Sequence, residues 1–301
     1  MTPAPTPPTP RTSHTSRTSP TSHTSPTPPT QPIEPIQPTT PTQPAPHPHT
    51  VTPLRVLHAE WFKLRSLRSS RITAATAVAL VVGVALLMGG TYESGGGDSD
   101  IDPVVMVLQG TLLSQICLAV LGILVTAGEY ATGSIRSTLT AVPARLPVLW
   151  AKAAVFTATA FTASLTAALV SYPAAQFLLA DTDKAGSLWD DGVPAALVGS
   201  SAGVTLVALV ALGLGALLRS VPGALGAFIG GVVVVPEILG ALPYEVTEQA
   251  VRYFPTQAAY ALGSSTPLPG AASPGAALAA LLLWAGGTLA LAGVLLRRRD
   301  V

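Results

Sequence analysis

Residues able to do acid–base, nucleophilic or metal chemistry are scarce in this chain and unevenly placed. Four of its five histidines, His14, His23, His47 and His49, fall in the first 50 residues without metal-ligand spacing; only His58 lies beyond. The single cysteine, Cys117, sits inside an apolar run, so neither an internal disulfide nor a Cys/His cluster is available. No GxxxxGK motif followed by Ser or Thr occurs, so the chain carries no phosphate loop of its own. A hydrolase needs a nucleophile with its base, or metal ligands, and neither set is present. No enzymatic activity, metal or cofactor is expected in this chain.

What remains is charge, and two segments combine it with helical patterning. The first, from Leu54 to Arg71, reads LRVLHAEWFKLRSLRSSR. Leu54, Leu57, Trp61 and Leu64 recur at helical spacing, while Arg55, Lys63, Arg65 and Arg68 carry the opposite bias. An apolar stripe with basic flanks predicts a helix lying in the membrane interface, with Trp61 at headgroup level. The second segment, from Gly128 to Lys152, reads GEYATGSIRSTLTAVPARLPVLWAK. Glu129, Arg136 and Arg145 are its charged groups best placed to hold a partner or a span. Ser134 to Ala141 can form a short helix with Ile135, Leu139 and Val142 on one side. Pro143 and Pro147 are expected to interrupt it. Such an element could dock on a partner, with Ile135 and Leu139 filling a partner groove; its plainer reading is a basic loop.

The elements that must position these segments are six apolar stretches. They run roughly over Ile72–Gly90, Val104–Ala127, Ala153–Leu179, Val193–Leu218, Val221–Leu242 and Gly275–Leu296. Each reaches or approaches the ~20 residues needed to cross ~30 Å of hydrocarbon as a helix. From residue 51 onward, 12 Lys and Arg residues lie on one set of flanks and only Lys184 and Arg252 on the other. The positive-inside rule then predicts both termini in the cytoplasm. The outer loops are acidic: Glu93, Asp98, Asp100 and Asp102, then Asp181, Asp183, Asp190 and Asp191, then Glu237, Glu245 and Glu248. The expected fold class is all-α, a polytopic integral membrane protein with six spans and an N-terminal interfacial amphipathic helix.

Composition agrees. Only 10% of residues are charged, and mean hydropathy is positive, +0.50. No basic face suited to nucleic acid exists beyond the membrane flanks. Residues 1–53 stand apart, holding 17 of the 29 prolines among Thr and Ser. Such a segment cannot bury enough apolar area to offset its ordering entropy, so a disordered, partly polyproline II cytoplasmic tail is expected. Its Pro-x-x-Pro spacings arise readily from composition alone. The N-terminus lacks the charged and apolar regions of a cleavable signal peptide. Gly199/Gly203 and Gly226/Gly230 give small-residue spacing for close helix packing, and Pro236 is expected to break span 5 near its outer end.

Four segments in order carry a family resemblance: AEWFKLRSLRSSR before span 1, GEYATGSIRSTLTAVPARLPVLWAK after span 2, ALGLGALLRSVPGALGA between spans 4 and 5, and LLRRRD after span 6. Over residues 54–300 the chain resembles the permease subunit of ABC transporters of the type 2 (ABC-2) class, in its actinobacterial form. The resemblance implies that the N-terminal interfacial helix is a connecting helix. It implies that the loop after span 2 carries a coupling helix docking on separate ABC ATPase subunits, which bind ATP and magnesium. It also implies pairing of the permease as a homodimer or with a paralogue, and short re-entrant helices between Glu237 and Pro274. The expected function is an ATP-driven exporter working by alternating access, with closure of the ATPase dimer pushing on residues 128–152. A membrane anchor or regulatory subunit of a signalling complex is the alternative, as is a passive channel or secondary carrier. A carrier would usually place ionisable residues in mid-membrane, and the span interiors lack them.

Overall fold

The computed structural model describes residues 52–94, 101–135, 140 and 145–298. The Pro/Thr-rich tail, Arg136, Leu139 and Pro143 lie outside the described residues, as do the last three positions.

The described chain is helical, with no strand among the described residues. Helix α1 spans Pro53–Ser66 and α2 spans Arg68–Thr91. The short α3, Pro103–Val107, runs through one 3₁₀ turn, Leu108–Gly110, into α4, Thr111–Thr132. Then come α5 (Arg145–Leu178), α6 (Val193–Leu218) and α7 (Val221–Ala227). A π-helical stretch, Phe228–Val234, joins α7 to α8 (Val235–Gly240). Two short helices, α9 (Glu245–Val251) and α10 (Pro255–Leu262), precede α11 (Pro274–Arg298). Six of these helical units are long and apolar enough to cross a membrane: Arg68–Thr91, Pro103–Thr132, Arg145–Leu178, Val193–Leu218, Val221–Gly240 and Pro274–Arg298. They match the six expected stretches. Helices are what such sequences must form in lipid, because every backbone donor and acceptor finds its partner inside the segment.

The most enclosed element is α6, which packs against α4, α5, α10 and α11. Its closeness to its neighbours depends on absent side chains. A Cβ on Gly199 would stand 2.2 Å from the Leu262 carbonyl oxygen, and one on Gly203 would stand 2.9 Å from the Ala259 Cα. The first small-residue pair therefore lets α10 lie on α6. The second pair does no such work, since Gly226 and Gly230 have no neighbour within 4 Å. Thr126 adds a polar tie between spans, its hydroxyl donating to the Leu212 carbonyl at 3.1 Å.

Two local expectations are corrected. Pro147 does not interrupt a helix; it is the third residue of α5, in the first turn, where a missing N–H costs nothing. Pro236 does not break span 5 either. The π-helical widening immediately before it carries the helical unit through to Gly240, so the ring sits in the first turn of α8. In α1 the face buried against the bundle is Val56, Glu60 and Leu64. Leu54 is 68% exposed and Trp61 is 40% exposed.

The loops sort by charge onto opposite ends of the bundle. At one end Arg145 Nη1 donates to the Leu296 carbonyl at 3.3 Å, close to Arg297 and Arg298. At the other, the Tyr92 hydroxyl donates to Asp183 at 2.9 Å, and Lys184 Nζ donates to the Ile101 carbonyl at 2.7 Å.

Candidate functional site

The basic end holds the densest group of buried charge. Lys152, read from sequence as a loop residue, is the eighth residue of α5 and only 4% exposed. Its ammonium reaches Glu60 Oε2 of α1 at 2.6 Å and Glu129 Oε1 of α4 at 2.5 Å. Lys63, one turn beyond Glu60 on α1, also pairs with Glu129 Oε1. Two carboxylates and two ammonium groups thus bind three helices with no net charge.

Geometry explains the cluster. Glu60 sits between Val56 and Leu64 on the buried face of α1, one turn from each, so burial of that face carries its carboxylate inward. Leu57, Val148 and Ala151 pack beside it and shield the pairs from water. Glu129 is 6% exposed near the end of α4. In such surroundings each charge needs its partners: breaking a buried pair from one side costs about 3–5 kcal/mol, because the remaining charge stays buried and uncompensated. Glu129 Oε2 is buried and accepts no hydrogen bond from the described residues.

The other residues singled out from sequence fall around this cluster in different ways. Ile135 was expected to face a partner groove. It is 7% exposed and lines a small pocket with Tyr130, Val148 and Leu149. Arg145, in the same wall, ties the start of α5 to the end of α11. Lys63 is half-buried by its pairing, whereas Arg65 and Arg68 are exposed. Arg219 ends α6 with φ +54°, and its guanidinium lies 5.0 Å from the centre of the Tyr130 ring. The members that sequence reasoning passed over are Glu60 and Lys152. One signal was available for Glu60: it is the only acid in a strongly basic segment, spaced four residues from Val56 and from Leu64.

Between α1, the start of α2, α4 and α5 a cleft of about 320 Å³ opens beside the cluster. Its walls are mostly apolar, including Leu64, Leu124, Val155 and Phe156, and all four charged residues of the cluster reach it.

A second polar knot marks the opposite end. Asp102 caps α3 by accepting from the Val104 and Val105 amides at 2.9 and 3.1 Å. Its other oxygen accepts from the Ser265 and Thr266 amides and from the hydroxyls of Ser264, Ser265 and Thr266. Burial pushes the Asp102 carboxyl up, but the hydrogen bonds from Ser265, Val105 and Thr266 outweigh it and hold it below the ordinary value. This knot fastens the chain after α10 to the start of the second span. Two short helices, α9 and α10, lie between Glu237 and Pro274, and α10 is largely buried, with Pro255, Thr256, Ala258, Ala259, Ala261 and Leu262 inside.

Among the described residues no group of His, Cys, Asp and Glu is arranged to hold a metal ion. No protein-family model matches the chain, and comparison with curated proteins finds no match.

Proposed function

We propose that this chain is the membrane-spanning permease subunit of an ATP-driven exporter of the ABC type 2 class. It pairs with a second permease, a copy or a paralogue, and with separate ATPase subunits that bind ATP and magnesium. It sits in the plasma membrane with its Lys/Arg-rich end and both termini in the cytoplasm, the arrangement the positive-inside rule favours.

The observation that carries this reading is the position of the ion-pair cluster. Glu129 lies just before the connection between the second and third spans, and Lys152 lies just after it. Both are joined to each other, and Lys152 is joined to Glu60 of α1. A load applied to that connection therefore reaches α1, α4 and α5 together. A bare loop on flexible tethers would dissipate it. Closure of an ATPase dimer against residues 128–152 would thus move two spans and the N-terminal helix as one body, as alternating access requires.

The test is to express the chain with a candidate soluble ATPase carrying Walker motifs, and to measure substrate-stimulated ATP hydrolysis and co-purification in reconstituted vesicles. Arg136→Ala and Leu139→Ala should lower both, at equal membrane abundance, while alanine substitutions in residues 93–102 should not. Wild-type hydrolysis and normal ATPase retention in both inner-loop variants would overturn the coupling role. Flux without ATP would favour a channel or secondary carrier instead.

A further inference from the structure

A second cleft, also of about 320 Å³, lies at the elbow where α1 gives way to α2. Trp61 and Arg65, four residues apart on α1, line one side of it, and Ser70, Arg71 and Ala74 line the other from the first two turns of α2. Leu64 and Thr159 complete the wall, and the Thr159 hydroxyl already donates to the Val155 carbonyl at 2.9 Å. Ala74 stands about one turn farther from the basic end than Arg71, and Thr159 about two turns farther than Lys152. The apolar wall therefore runs into the spans, while the arginines stand at its edge.

The elbow offers donors and positive charge without a carboxylate. Leu67 is extended, with ψ 116°, and interrupts the helical ladder between α1 and α2. The Arg71 amide is the first in α2 to find a carbonyl, that of Leu67 at 3.5 Å, so the amides of Arg68, Ser69 and Ser70 head the helix without one. No side chain caps this terminus, and no acidic residue stands in its first turn. Ser70 is 5% exposed, and its hydroxyl has no hydrogen-bond partner among the described residues. Arg65 and Arg71 are exposed and pair with none of the described carboxylates. The acids on the neighbouring helices, Glu60 and Glu129, are already held by Lys152 and Lys63. An open helix N-terminus, an unbonded hydroxyl and two unpaired guanidinium groups at the mouth of an apolar cleft are complementary to an anion carried on an apolar tail. We infer that this cleft binds one anionic phospholipid, its phosphate at the first turn of α2 beside Arg65 and Arg71 and an acyl chain along Leu64, Ala74 and Thr159. Such binding does not depend on the export reading.

The experiment uses the full chain purified in mild detergent from mixed vesicles of phosphatidylglycerol and phosphatidylcholine with identical acyl chains. Lipid retained per chain is measured by native mass spectrometry. One phosphatidylglycerol should be retained with about thirtyfold preference over phosphatidylcholine, roughly fivefold for each arginine. Arg65→Gln and Arg71→Gln should each lower that preference about fivefold, and the two together should bring it near unity. Arg297→Gln with Arg298→Gln removes the same charge from exposed positions outside the cleft and should leave the preference intact. Ala74→Phe keeps both arginines, fills the cleft and should abolish retention. Size-exclusion profiles identify variants that fold; a misfolded Ala74→Phe leaves the exposed arginine variants to decide. Equal retention of the two lipids by the unsubstituted chain would overturn the inference, as would full retention in the folded Ala74→Phe variant. An equal loss in the Arg297 and Arg298 variant would reduce the effect to general surface charge and refute a site. Release of the phosphatidylglycerol by excess inorganic phosphate would show a site for soluble anions and refute the lipid.

Discussion

Replacing Lys152 by Met tests the cluster most directly. The substitution keeps an unbranched side chain of similar length and removes the ammonium that touches both Glu60 and Glu129. Glu60 then has no cation within pairing distance among the described residues, while Glu129 retains Lys63. Both carboxylates stay below 8% exposure, so water cannot take over the lost contacts without opening α1 from α5. Breaking a buried pair from one side costs about 3–5 kcal/mol. In a domain of 150–250 residues 1 kcal/mol corresponds to roughly 2–4 °C, so the melting temperature in detergent should fall by roughly 6–20 °C. Lys63→Met should cost far less, about 1 kcal/mol, because Glu129 keeps Lys152 and the lysine it loses is partly solvated. The decisive comparison is the quadruple variant Glu60→Gln, Lys63→Met, Glu129→Gln and Lys152→Met. It removes the orphaned charges together and should recover most of the lost stability, since a buried pair contributes little beyond the matching of its own charges. Tryptic cleavage after Arg65 or Arg68 would report whether α1 has come loose. If Lys152→Met melts with the unsubstituted protein and α1 stays protected, Lys152 is not buried between those carboxylates and the coupling argument loses its anchor.

Four further outcomes are expected. Asp102→Asn should destabilise the bundle and flatten its acid response. The native carboxyl titrates below its ordinary value, so its contribution is complete above roughly pH 4 and declines as pH falls through the lowered native value; a melting curve against pH reads this slope. Gly199→Leu should displace α10 and cause a large loss of thermal stability, because even its Cβ would overlap the Leu262 carbonyl. Gly226→Ala and Gly230→Ala should be neutral or slightly stabilising in the same assay, having open space at the new methyl. With Cys117→Ala as background, a cysteine at Ser187 should react with an impermeant thiol reagent in intact cells and one at Ser137 or Asp300 should not; the reverse pattern would invert the proposed orientation.

The spans were legible because their signal is collective. Some 20 apolar residues in a row state a length and a solvent, and no single contact can overrule that. What a run of residues does not state is which side of each helix is covered. For α1, amphipathic spacing marks an apolar stripe, but it does not state that the face buried against the other helices runs through Glu60. A carboxylate reads as polar in any pattern, and its burial follows only when a lysine about 90 residues later is brought to 2.6 Å. The same holds for Lys152, whose charge assigned it to a loop although α5 begins seven residues earlier. Prolines misled for a related reason. Each is a local prohibition, yet Pro147 falls in a first turn and Pro236 follows a π-helical stretch, and in both places the helix has no need of the missing N–H. Glycine spacing shows the limit most sharply. Gly199/Gly203 and Gly226/Gly230 are the same motif, but one pair lies under α10 and the other faces open space. Spacing states that a helix can be approached; only the fold states what approaches it. The candidate site lies beyond that limit, because it consists of pairs between helices and had no local sign except the lone acid at position 60.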